Sequence, residues 1–139
     1  MNTVLIVDDE PDVRALARDI LVAKEFDVLE AGDAEEALRV AARHAGPIPL
    51  LLTDVVMPGA SGPELARRLQ ELRKETKVVF MSGFTAEVIG DFGVLESGVP
   101  FVCKPFSPEM LARKVREALD YRSPFARPTR RLVPSASPA

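Results

Sequence analysis

The chain has 139 residues, 47% of them apolar, and a formal net charge of −3, a size suited to one domain around one core. No stretch approaches the roughly 18–20 apolar residues of a membrane span, so a soluble chain without a membrane partner is expected. Residues 123–139 hold Arg127, Arg130 and Arg131 and no acid, so the preceding 122 residues carry −6, an acidic body that argues against a nucleic-acid surface of its own.

Residues 3–7 form an apolar run that reads as a strand covered on both faces, and Asp8-Asp9 follows it. Pro11 then opens a helix whose Val13, Leu16, Ala17, Ile20 and Leu21 make one apolar stripe. A second strand is expected at 26–30. Asp33 reads as the cap of a second helix reaching about Arg43, with Glu36 as its reciprocal partner. The third strand, 49–53, ends in Asp54. Gly62-Pro63 opens a third helix, with Leu65, Leu69 and Leu72 turned inward, and a fourth strand follows at 77–81. Between Thr85 and Val99 the glycines at 90, 93 and 98 predict a short or irregular fourth helix, each costing about 1 kcal/mol against alanine. The fifth strand, 100–103, ends in Lys104-Pro105, and Ser107-Pro108 opens the last helix, which buries Leu111, Val115, Ala118 and Leu119. Beyond Tyr121, four prolines fall within seventeen residues, predicting a disordered tail or linker at 123–139 behind a domain at 1–122.

Strands alternating with helices predict an α/β fold with a doubly wound parallel sheet. Ligand crevices in such sheets open at the carboxyl ends of the strands, beside the point where strand order reverses. Asp8, Asp9, Asp54 and Lys104 all follow strands and should converge there. Three carboxylates facing one lysine suit Mg2+ and a phosphoryl group: Mg2+ takes oxygen ligands, one or two of them carboxylates, and the lysine offsets phosphoryl charge. Asp9 and Asp54 fit as direct ligands, with Asp8 behind the ion or bonded to it through water. Taken singly these residues have blander readings: adjacent aspartates as turn formers, Lys104-Pro105 as a strand end, Cys103 as a small core residue and His44 as a solvated side chain. One cysteine cannot close an internal disulfide, and Met1-Asn2-Thr3 enters the first strand without a basic stretch, so a reducing, cytoplasmic setting is expected.

Val7-Asp8-Asp9-Glu10, Thr53-Asp54-Val55-Val56-Met57-Pro58-Gly59, Met81-Ser82-Gly83 and Cys103-Lys104-Pro105-Phe106, separated by 45, 28 and 22 residues from Asp9 to Asp54, Ser82 and Lys104, resemble the receiver domain of two-component response regulators. Ser82-Gly83-Phe84-Thr85 is most similar to receivers of hybrid histidine kinases. The resemblance covers residues 2–121 and departs from the family at Ala60-Ser61-Gly62, where a methionine and an acid are common. It implies a flavodoxin-like five-stranded sheet of order 2-1-3-4-5 and an aspartyl phosphate formed on Asp54. It also implies the Val56 main-chain carbonyl as a further Mg2+ ligand, Lys104 and Ser82 on the phosphoryl oxygens, a cis Lys104-Pro105 bond, and a switch made by Ser82 and Phe101.

The implied phosphate source is a histidine kinase or a histidine phosphotransfer protein, and the seventeen residues after the last helix are too few for an output domain. Output is therefore expected through a downstream protein, with the fourth helix, last strand and last helix as the signalling surface and the site of any homodimer. A free-standing regulator and the receiver of a hybrid kinase both fit. Two rivals are a Mg2+-dependent aspartate-nucleophile phosphatase and a pseudo-receiver that only binds partners. The first usually has an acid two residues after its nucleophile, where this chain has Val56, and the second usually lacks one of Asp9, Asp54 and Lys104.

Overall fold

A computed structural model of the protein describes residues 2–83 and 100–120. Five strands and four helices lie among them: β1 Thr3–Val7, α1 Pro11–Ala23, β2 Asp27–Ala31, α2 Ala34–Arg43, β3 Leu50–Asp54, α3 Gly62–Leu72, β4 Lys77–Ser82, β5 Phe101–Cys103 and α4 Pro108–Asp120. Each strand starts within one residue of its expected position. The irregular helix expected between 85 and 99, and the tail, lie outside the described residues. All pairings are parallel and the order is β2-β1-β3-β4-β5, as the resemblance implies.

Successive side chains along a strand point to opposite faces, and the buried residues divide accordingly. Leu5, Val7, Leu51, Val78 and Phe80 pack with Ala34, Ala37 and Ala41 of α2 and Leu65, Ala66 and Leu69 of α3. Val4, Ile6, Leu50, Leu52, Val79 and Met81 pack with Ala17, Ile20 and Leu21 of α1 and Leu111, Val115 and Ala118 of α4. Helices on both faces explain why the strands carry no apolar–polar alternation.

Local capping sets the helix starts. Asp33 accepts the Glu36 amide at 2.8 Å, Ser61 the Glu64 amide at 3.3 Å and Ser107 the Met110 amide at 3.1 Å. Glu36 reaches back to the Gly32 amide at 2.7 Å, one residue earlier than the reciprocal bond expected.

Three expected core residues are exposed. Leu16 is 49% exposed and Leu72 69%. In α1 the buried arc centres between Ala17, Ile20 and Leu21, and Leu16 sits about 90° from that centre at 3.6 residues per turn. In α3, Ala66 draws the arc toward itself and leaves Leu72, on the final turn, at its rim. Cys103 is exposed: β5 is an edge strand whose alternation turns Val102 inward and leaves Cys103 on the opposite side at the strand's end.

Candidate functional site

The order of the sheet reverses between β1 and β3, which run side by side with Val7 opposite Thr53. The next residue on each chain is an aspartate, so the topology itself brings Asp8 and Asp54 together. Asp8 is fully buried and Asp54 5% exposed, while Asp9 faces solvent. One carboxylate oxygen from each of Asp8, Asp9 and Asp54 lies within 4.8 Å of the others.

Lys104 enters this cluster from the far edge of the sheet. Its amide donates to the Ser82 carbonyl at 2.9 Å and the Lys104-Pro105 bond is cis. Its ammonium stands 2.8 Å from Asp8 Oδ2, 3.3 Å from Asp54 Oδ2 and 3.5 Å from Glu10 Oε1. Glu10 is a member of the cluster that the sequence reading missed; its place next to the acidic pair was the available signal. Ser82, buried at the end of β4, pairs in register with Cys103. Phe101 pairs with Phe80 and packs, half-buried, against the core on the α2–α3 face, the face to which Phe80 also contributes. Ser82 and Phe101 therefore share one side of the sheet, two positions apart in register.

After Asp54 the chain turns through Val55, whose amide donates to Met81 O at 3.0 Å and whose carbonyl accepts from the Gly62 amide at 2.8 Å. Val56, half-buried, continues this turn. Gly62 approaches Asp54 so closely that a Cβ there would overlap the Asp54 carbonyl oxygen and lie 3.1 Å from both the Asp54 carbonyl carbon and Val55 Cα. The sequence marked Gly62 only as the start of a helix.

Charge is unevenly compensated in this pocket. Burial pushes the Asp54 carboxyl up to about 6; Lys104 opposes the rise, and Asp8 and Asp9 add to it. Burial alone would lower Lys104, but the Asp8 contact and the charge of Asp54 outweigh it and hold the ammonium above the ordinary lysine value. Asp54 Oδ1 is buried without a hydrogen-bond partner. Hard oxygen donors, surplus negative charge and a buried acceptor without a donor together fit a small divalent cation held by carboxylates.

A pH dependence follows for the metal-free protein. The folded pKa of Asp54 lies above its ordinary 3.8, so between pH 4 and 6 the folded state binds more protons than the unfolded one and stability falls as pH rises. Asp54→Asn removes this slope. In excess chelator the variant should be more stable than the parent by about 1–3 kcal/mol at pH 7, with the difference closing near pH 4. Urea melts at both pH values check it.

Comparison with known proteins agrees with this geometry. Residues 4–116 match the family described as response regulator receiver domain. The chain is 34% identical to the sensor kinase CckA of Brucella abortus over 85% of its own length and 12% of the kinase. It is 33% identical to the transcriptional regulatory protein AruR of Pseudomonas aeruginosa, covering 98% of this chain and 54% of that one. Among solved structures, the receiver domain of a hybrid histidine kinase CckA superposes with a TM-score of 0.70 at 39% identity, covering 85% of this chain and 99% of that one. The Thermotoga maritima response regulator TrrA, solved in complex with Mg2+-BeF, gives 0.72 at 29% identity, with 85% and 99% covered. With a family match over most of its length and the same sheet order, the chain belongs to the response regulator receiver domains.

Proposed function

We propose that this domain accepts a phosphoryl group from phosphohistidine onto Asp54 and signals by a change of conformation. The observation that carries the reading is the clasp of Asp8, Asp54 and Glu10 around Lys104 at the switch point of the sheet, with an Asp54 oxygen left without a donor. Asp9 and Asp54 would hold Mg2+ together with the Val56 main-chain carbonyl, with Asp8 behind the ion or bonded to it through water. When bound, Mg2+ offsets the charge of the phosphoryl oxygens and favours the ionised form of Asp54.

The steps performed by the chain itself are few. The Asp54 carboxylate attacks phosphorus; the new O–P bond forms as the P–N bond to the donor imidazole breaks, and the departing nitrogen keeps the electron pair of that bond. Lys104 lies between Asp8 and Asp54, where it neutralises phosphoryl oxygens as a compact point charge. Ser82 donates its hydroxyl to another of those oxygens, and its movement lets Phe101 turn inward, which reshapes the surface around β5 and α4. The bonds from Val55 and Gly62 keep the Asp54 backbone in place throughout.

The donor is a histidine kinase or phosphotransfer protein and the receiver of the signal a downstream protein, with the face around β5 and α4 as the contact and the site of any homodimer. Residues 1–122 form the receiver and 123–139 a tail or linker. The work is that of a cytoplasmic signalling domain rather than of an enzyme with its own small-molecule turnover. Incubation with Mg2+ and a small phosphoramidate, read by intact mass, should give one phosphoryl adduct; Asp54→Asn or excess chelator should give none. An adduct that persists in either case contradicts the proposal.

A further inference from the structure

Arg14, in the first turns of α1, reaches back beneath the turn that follows β1. Its Nη1 donates to the Asp8 main-chain carbonyl at 2.7 Å and its Nε to Glu30 Oε1 of β2 at 3.3 Å. Arg18, one turn on, holds the other Glu30 oxygen at 3.3 Å. The same turn is fixed elsewhere: the Asp8 amide donates to Ala31 O at 3.2 Å and the Glu10 amide to Asp8 Oδ1 at 2.9 Å. A peptide unit is planar, so holding the Asp8 carbonyl holds the plane of the peptide that leads into Asp9. Asp8 and Asp54 are buried and face Lys104. Asp9 is the exposed member of the trio and depends most on its backbone for position.

We infer that Arg14 is a positioning residue for the divalent cation, aligning Asp9 through the Asp8 carbonyl. The inference rests on the reading of Asp9 and Asp54 as cation ligands. Charge and position act here with opposite signs. A guanidinium near the site repels a dication, so losing its charge alone would tighten Mg2+ binding, whereas losing the alignment loosens it. Outer groups that orient metal ligands are commonly worth 10–100-fold in affinity.

Calorimetric titration of Mg2+ into the parent, Arg14→Ala, Arg14→Lys and Glu30→Gln separates the cases, with backbone amide shifts recorded before metal is added. Arg14→Ala should weaken Mg2+ binding about tenfold. Arg14→Lys keeps the charge but not the planar fork and should recover only part. Glu30→Gln, which loosens the tether of Arg14, should give a smaller loss of the same sign. In metal-free Arg14→Ala the Asp9 and Glu10 amides should shift while those of Val78 and Val79 stay in place. Binding as tight as the parent's, or tighter, in a folded Arg14→Ala overturns the inference. If that variant does not fold, parent-like affinity in both Arg14→Lys and Glu30→Gln overturns it. No Mg2+ binding by the parent would instead overturn the cation reading beneath it.

Discussion

Gly62→Ala is expected to destabilise the domain by about 2–4 kcal/mol, the upper range of the cost of forcing atoms into a filled space, and to weaken Mg2+ binding at least tenfold. Alanine is ordinarily the better helix residue by about 1 kcal/mol, and Gly62 begins α3, so local propensity alone predicts the opposite sign. The steric term decides. The added Cβ would overlap the Asp54 carbonyl oxygen and press on the Asp54 carbonyl carbon and Val55 Cα at 3.1 Å. All three are backbone atoms, so relief requires moving either the start of α3 or Asp54, the proposed phosphoryl acceptor. Gly59→Ala is the matching control. Gly59 sits at φ +81° with nothing within 4 Å of a Cβ, so its cost is the backbone penalty of roughly 1 kcal/mol, without an effect on the cation. Urea melts and Mg2+ titrations of both variants check the pair. Equal losses in the two, or an unchanged Gly62→Ala, contradict the assignment.

Lys104→Met keeps an apolar stem while removing the ammonium that Asp8, Glu10 and Asp54 share. Asp8 has no exposed surface and Asp54 very little, so their charges are left without a cation in a setting where breaking a buried pair costs about 3–5 kcal/mol. The measured loss should be smaller, about 2–4 kcal/mol in chelator at pH 7, because Asp54 can respond by binding a proton. It should shrink toward pH 5, where that protonation is easier. Excess Mg2+ should restore part of it by binding the native state only, while phosphoryl uptake should stay slow if the ammonium is what neutralises the phosphoryl oxygens, as proposed. Denaturant melts with and without Mg2+ separate these effects. A variant as stable as the parent in chelator would mean that the lysine offsets little of the acidic charge.

Much of this is legible in the sequence, for a physical reason. Strands covered on both faces are continuous apolar runs, so 3–7, 49–53 and 77–81 stand out from the amphipathic helices between them. The charged residues that interrupt those runs then mark the carboxyl ends at which an open sheet binds ligands. What could not be read depends on partners distant along the chain. Helix periodicity places Leu16 and Leu72 near an apolar stripe, but the rotation of α1 and α3 against the sheet decides which edge of the stripe is covered, and both residues fall outside it. Cys103 has the composition of a core residue, and only the position of β5 at the edge of the sheet exposes it. Nothing in the sequence marks Arg73, just after α3. In the fold its guanidinium donates to the carbonyls of Ala41, His44 and Gly46 at 2.8–2.9 Å, closing the end of α2 from 27 to 32 residues away. Gly62 and Arg14 belong to the same class: each acts on the site through the backbone of an aspartate, and a backbone contact leaves no mark on composition or spacing.

Asp54, and no other carboxylate of the acidic cluster, is the proposed acceptor of the phosphoryl group. Hydride reduction of the phosphorylated protein tests it most directly, because an acyl phosphate is reduced to an alcohol and an aspartyl phosphate becomes homoserine, whereas free carboxylates are left intact. Peptide mapping after Mg2+, phosphoramidate and borohydride should find homoserine at position 54 alone, with Asp8, Asp9 and Glu10 unchanged. Homoserine at position 8 or 9, or no conversion in protein that carries the phosphoryl adduct, would contradict the account.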